Sequence, residues 1–85
     1  MLDEKLLFLI GYRLLQRGIP DARGFFQMSL DEFPNGPYAP AAHELTGDLQ
    51  KSDGDLEAAR ASYRRALELQ PGDPGISAKL EALGK

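Results

Sequence analysis

The sequence has no cysteine, no tryptophan, a single histidine and two methionines among its 85 residues. Without cysteine there is no disulfide framework, no thiol nucleophile and no thiolate metal site. A lone histidine leaves an imidazole-based metal centre short of its other ligands. An excess of basic charge is missing as well. The net charge of −3 argues against a general binder of nucleic acid or anionic membrane. Long apolar runs are also absent. Leu6-Leu7-Phe8-Leu9-Ile10 follows Asp3 and Glu4 and is interrupted at Gly11-Tyr12-Arg13, so it suits neither a secretory core nor a membrane span. No nucleophile, base and orienting group occur as a set. These absences lead to the expectation of a soluble, cytoplasmic protein that is not an enzyme and holds no cofactor or metal.

What is present is helical periodicity, with 42% hydrophobic and 27% charged residues, an ordinary balance for a mostly helical chain. The first helix is expected over 2–17, with Leu7, Ile10, Gly11 and Leu14 on one face. Leu6, Phe8, Leu9, Tyr12 and Leu15 fall outside that face, and a helix apolar over more than one stripe normally has two sides covered. Gly18 suits a left-handed C-terminal position and Pro20 a first helical turn. The second helix is expected over about 20–33, with Ala22, Phe25, Phe26, Ser29, Leu30 and Phe33 inward and Arg23, Gln27, Asp31 and Glu32 facing water. Gly24 inside it implies close packing, since glycine costs about 1 kcal/mol against alanine there. After the turn at Pro34-Asn35-Gly36-Pro37, a third helix is expected from between Pro37 and Pro40 to Ser52, burying Ala42, His43, Thr46 and Leu49. A fourth over 55–70, capped by Asp55, buries Leu56, Ala59, Tyr63, Ala66 and Leu67. Asp73-Pro74 starts a short fifth helix whose apolar face is Ile76, Leu80 and Leu83.

The two halves repeat each other. His43, Thr46, Gly47, Gln50, Gly54, Ala59, Tyr63, Ala66 and Pro71 in the second half match Leu7, Ile10, Gly11, Leu14, Gly18, Ala22, Phe26, Ser29 and Pro34 in the first. The first half is one residue short between Gly18 and Ala22, and about three extra residues around Gly36 to Ala39 separate the halves. This series resembles the tetratricopeptide repeat (TPR), a helical hairpin of about 34 residues with small, aromatic and helix-ending proline positions in this order. GDLEAARASYRRALELQPGDP carries the better match, while His43, Thr46 and Gln50 depart from the usual apolar or aromatic residues. The resemblance implies one all-α domain of two antiparallel hairpins, 2–34 and 38–71, with a capping helix over 74–83. Together these make a right-handed α-solenoid fragment. GYRLLQRG with FFQMSLDEFPNG is also similar to TPR-like tails found behind the catalytic domain of some esterase-type hydrolases.

Single residues invite sharper readings, each with a plainer competitor. His43 occupies a packing position between paired helices, with Gly47 rather than a ligand one turn on, so a partly buried structural histidine is expected. Asp53, Asp55 and Glu57 lack the twelve-residue ligand pattern of a calcium loop, and turn and capping chemistry accounts for them. Arg60, Arg64 and Arg65 have Glu57 and Glu68 one turn away, as on a solvated outer face. The glycines form no phosphate-binding fingerprint.

The remaining candidate is a surface. By resemblance, the first helix of each hairpin lines a concave groove that holds a peptide or partner helix. The matching positions are Lys5, Phe8, Tyr12, Leu15 and Gln16, then Ala41, Glu44, Asp48 and Lys51. The family's carboxylate clamp uses Lys, Asn and Arg at such places, where this chain has Phe8, Tyr12, Glu44 and Asp48. A basic or amphipathic segment is therefore the expected ligand, with Phe8 and Tyr12 as anchors and the two carboxylates steering it. The competing expectation is that the spare apolar face of the first helix is covered by another copy, or by the rest of a larger, hydrolase-like protein.

Overall fold

Three of the helix starts coincide with a carboxylate that accepts from the free N–H groups of a first turn. Asp3 accepts from the Lys5 amide at 2.9 Å, Asp55 from Ala58 at 3.2 Å, and Asp73 from Gly75 and Ile76 at 2.9 and 3.1 Å. The computed structural model describes residues 3–83. Five α-helices and no strand occur among them: α1 (Glu4–Gln16), α2 (Ala22–Glu32), α3 (Ala39–Ser52), α4 (Leu56–Leu69) and α5 (Pro74–Leu83). None is long and apolar enough to cross a membrane. Leu2, the expected first residue of α1, lies outside the described residues. Both hairpin turns close the same way. The Ile19 amide donates to the Leu14 carbonyl and the Asp55 amide to Gln50, each at 2.9 Å. The intervening Gly18 and Gly54 take φ of +71° and +84°, the left-handed geometry of a Schellman stop.

The second helix starts at Ala22, two residues later than expected from Pro20. Ala22, Arg23 and Gly24 donate to the carbonyls of Ile19, Pro20 and Asp21, so a tight three-residue turn precedes the regular helix. Successive helices pack in chain order, α1 on α2, α2 on α3, α3 on α4 and α4 on α5. The smallest principal extent is 17 Å, under two helix diameters. A helix in so thin a body has few ways to be covered on two sides.

Two apolar clusters form the core. Phe8, Ala22, Phe26, Leu30, Ala39 and Ala42 make the first, and Ala59, Tyr63, Ala66, Ile76 and Leu83 the second. Each hairpin is closed by a ring lying against a glycine. A Cβ on Gly11 would stand 2.8 Å from the Phe26 ring, and one on Gly47 only 2.6 Å from the Tyr63 ring. The rings therefore occupy space that any other residue would fill, and the paired helices approach accordingly. Ser29 matches Ala66 in volume but not in polarity, and its buried hydroxyl has no hydrogen-bond partner.

Several sequence expectations are corrected. Leu56, the first residue of α4, is exposed. Arg23 reaches across from α2, where its guanidinium bonds to Asp53 and to the Leu49 carbonyl at 3.1 Å. The arginine cluster of α4 is paired as expected of an outer face, Arg60 with Glu57 at 3.9 Å and Arg65 with Glu68 at 3.0 Å, and Arg60 in addition reaches the Leu83 carbonyl of α5 at 3.1 Å. Gly24 is not a close-packing point, since an added Cβ would meet nothing within 4 Å. Gly24→Ala should consequently stabilise the chain by about 1 kcal/mol through helix propensity. A rise in the urea midpoint without a change in slope is the expected reading, and an unchanged or lower midpoint would contradict it.

Candidate interaction surface

The expected groove residues do not come together as one open site. Phe8 is 9% exposed and belongs to the core. Its ring stands 5.1 Å from that of Tyr38, 5.7 Å from Phe26 and 6.2 Å, stacked, from Tyr12. Tyr38 arrives through the extra residues between the hairpins, so the segment that lengthens the connection also fills the space over Phe8. Phe8 is corrected from groove anchor to core aromatic.

Glu4, for which helical periodicity offers no special role, holds that segment down. Its carboxylate is buried, accepts from the Tyr38 amide at 2.9 Å and occupies the volume that a Cβ on Gly36 would need. Tyr38 is the N-cap of α3, so an anionic side chain sits where the helix dipole favours one.

Glu44 and Asp48 are corrected as well. They are not free steering charges, because Lys79 of α5 reaches both, at 2.7 Å and 2.9 Å. The other Asp48 oxygen accepts from the Tyr63 hydroxyl at 2.5 Å. This network ties α3, α4 and α5 together. Phe8 and Glu44 hold matching places in the two hairpins, and each engages the element that follows, Tyr38 in one case and Lys79 in the other. The sequence signal for Lys79 was faint: one basic residue among the polar positions of a short helix.

Burial raises the Tyr63 pKa, and the hydrogen bond to Asp48 adds to the rise. Burial opposes the charge on Lys79, but its bonds to Glu44 and Asp48 outweigh that, and its pKa is raised. Both groups keep their protons in the folded chain beyond the ordinary 10.0 and 10.5, whereas the unfolded chain gives them up first. The stability this linkage contributes is present below about pH 10 and is lost as pH climbs through the raised values. Urea unfolding between about pH 9 and 11 should show that alkaline decline. Tyr63→Phe should flatten it, and an equal slope in the variant would contradict the assignment. His43 is half-buried, as expected, and its pKa is lowered by burial and then by the nearby Arg65, with Glu68 opposing.

What remains open is on α1. Tyr12, Leu6 and Leu9 are 41%, 56% and 46% exposed, three of the five large apolar side chains so exposed among the described residues. Lys5 and Gln16 are exposed beside Tyr12, Leu15 is half-buried against the core, and on α3 Ala41 is half-buried and Lys51 exposed. Next to Leu9 the outer side of α1 carries a hollow of about 290 Å³ lined by Leu9, Ile10, Arg13 and Leu14. A second cleft, about 380 Å³, lies between the first turn and the end of α3, with Leu15, Ile19, Pro20 and Leu49 on its walls and Arg23 and Asp53 at its rim. Among the described residues no cluster of three or more potential metal ligands occurs. In comparisons with known proteins, no family model matches the chain, and no curated protein matches it significantly.

Proposed function

We propose that this chain is a TPR-like protein-interaction module that acts by binding, not by catalysis, and that α1 is its docking element. The observation that carries the proposal is the row of exposed Leu6, Leu9 and Tyr12 on one helix whose opposite side is already buried. A soluble chain gains nothing from three large apolar side chains on 13 residues of helix unless something covers them. The matched pairs Gly11–Phe26 and Gly47–Tyr63 support the repeat reading. The groove of that reading narrows to Tyr12, Leu15 and Gln16, with Lys5 and Lys51 as its flanking charges.

The second reading is that the spare face joins two copies, or joins this chain to a larger hydrolase-like protein. The hollow beside Leu9 favours it, because that hollow faces away from the groove positions. Both readings share one test. Labelled chain is followed by its diffusion in buffer and in concentrated cell extract. The wild type should slow in at least one of them, and Leu9→Asp/Tyr12→Ala should diffuse as a monomer in both. Met28→Asp, equally exposed but on α2, should behave as wild type. Equal slowing of wild type and the α1 double variant would overturn the proposal.

A further inference from the structure

The order of side chains along the outer face of α1 indicates what covers it. Asp3, Leu6, Ile10, Leu14 and Arg17 follow one another at spacings of three, four, four and three residues. Leu6, Ile10 and Leu14 share one stripe of α1, and Asp3 and Arg17 stand at its two ends as N-cap and C-cap. The stripe is symmetric about Ile10. A leucine stands four residues away on either side, and a charge stands seven away, acidic before and basic after. A two-fold axis through Ile10 lays Leu6 on Leu14 of a second copy, Asp3 on its Arg17, and Ile10 on its counterpart. A parallel arrangement would set Asp3 against Asp3 and Arg17 against Arg17, so charge selects the antiparallel one.

The structure leaves these groups available. Leu6 is exposed, Ile10 is half-buried, and Leu14 packs one side against the first core cluster while its other side lines the hollow beside Leu9. The hollow between Leu9, Ile10, Arg13 and Leu14 is open to receive the second copy's Leu6. One Asp3 oxygen caps the Lys5 amide and the other is left for a cation. Neither Asp3 nor Arg17 takes part in an ion pair among the described residues.

We infer that a second copy of this chain covers the outer face of α1, through an antiparallel helix pair with Ile10 on the two-fold axis. This rests on the reading of α1 as the docking element and names its partner. A single helix pair falls at the small end of protein interfaces, so the dimer is weak and reversible.

The native chain has no cysteine, which makes single-thiol variants unambiguous reporters of register. Ile10→Cys places two thiols at the axis. At a rise of ~1.5 Å per residue, Leu6→Cys places them about 12 Å apart, too far for a disulfide. The experiment is sedimentation equilibrium of the full chain over a micromolar-to-millimolar series, with mild oxidation of the thiol variants and melting curves to confirm that each folds. The expected mass rises toward twice that of the monomer, and Ile10→Cys cross-links while Leu6→Cys alone does not. An equimolar mixture of Leu6→Cys and Leu14→Cys should give the mixed disulfide. Arg17→Glu, which turns two attractions into two repulsions, should weaken the dimer about tenfold. A monomer at every concentration, with Ile10→Cys remaining reduced, overturns the self-pairing. It leaves the docking reading standing if Leu9→Asp/Tyr12→Ala still abolishes slowing in extract. A dimer indifferent to Leu6→Asp overturns the Ile10-centred pairing, and one indifferent to Leu9→Asp/Tyr12→Ala overturns the reading of Leu9 and Tyr12 as part of the docking row. Leu6→Cys cross-linking as fast as Ile10→Cys overturns the antiparallel register.

Discussion

Tyr63→Ala should leave most of the chain unfolded at room temperature. Tyr63 is fully buried between the alanines of its own helix, with its ring against Gly47 and its hydroxyl on Asp48. Truncating a buried aromatic costs about 3–5 kcal/mol, and a chain of this size has only ~3–5 kcal/mol of net stability. The two magnitudes are equal, so no folded reserve remains. The second cluster has few other large side chains to collapse into the void: Ile76 and Leu83 of α5, with Leu67 and Leu80 half-buried at its edge. Phe26→Ala should do the same in the first hairpin, where the ring is equally inaccessible. Tyr63→Phe separates the ring from its hydroxyl. It keeps the packing and loses one hydrogen bond to a charged acceptor, about 1.5–3 kcal/mol, so it should still fold with a lowered midpoint. Far-ultraviolet circular dichroism on heating distinguishes these cases. A cooperative melt near that of wild type for Tyr63→Ala or Phe26→Ala would refute the packing account.

Gly47→Ala should destabilise the chain even though alanine is the better helix former. Propensity favours the substitution by about 1 kcal/mol. Against that, the new Cβ would stand 2.6 Å and 2.8 Å from two carbons of the Tyr63 ring, and overpacking of a filled core costs about 1–3 kcal/mol. The ring cannot retreat, because it is buried on all sides and its hydroxyl is tied to Asp48, which Lys79 holds in turn. The cost therefore falls in the upper part of that range and exceeds the gain. Gly24→Ala makes the identical chemical change on an open surface and should move stability the other way. Measured side by side in urea, the two variants should bracket the wild type. If Gly47→Ala equals or exceeds Gly24→Ala in stability, the close approach of α3 and α4 is not what closes the second hairpin.

The expected and observed structures agree most closely where a local signal acts within one or two turns of its cause. Asp55 caps α4 and Asp73 caps α5, Gly18 takes the left-handed turn, and Ala59, Tyr63 and Ala66 line one buried face. These follow from periodicity, hydrogen-bond demand at helix ends and the freedom of glycine, all of which operate between near neighbours in the chain.

Disagreement begins where the outcome depends on what a distant segment brings. Phe8 reads as spare because its own helix has another apolar face, and Phe26 of α2 together with Tyr38, thirty residues later, covers it. Glu44 and Asp48 read as open carboxylates until α5 folds back and places Lys79 between them. Glu4 reads as a solvated first-turn acid until the inter-hairpin turn settles on it. Gly24 and Leu56 carry the signatures of buried positions, but a Cβ at Gly24 would meet nothing within 4 Å and Leu56 is 45% exposed. The sequence by itself determined five amphipathic helices, their caps and stops, and the excess of apolar surface on α1. The tertiary structure decided which of those side chains remain exposed, because exposure is set by long-range packing, and helical periodicity carries no information about which residue arrives from thirty positions away.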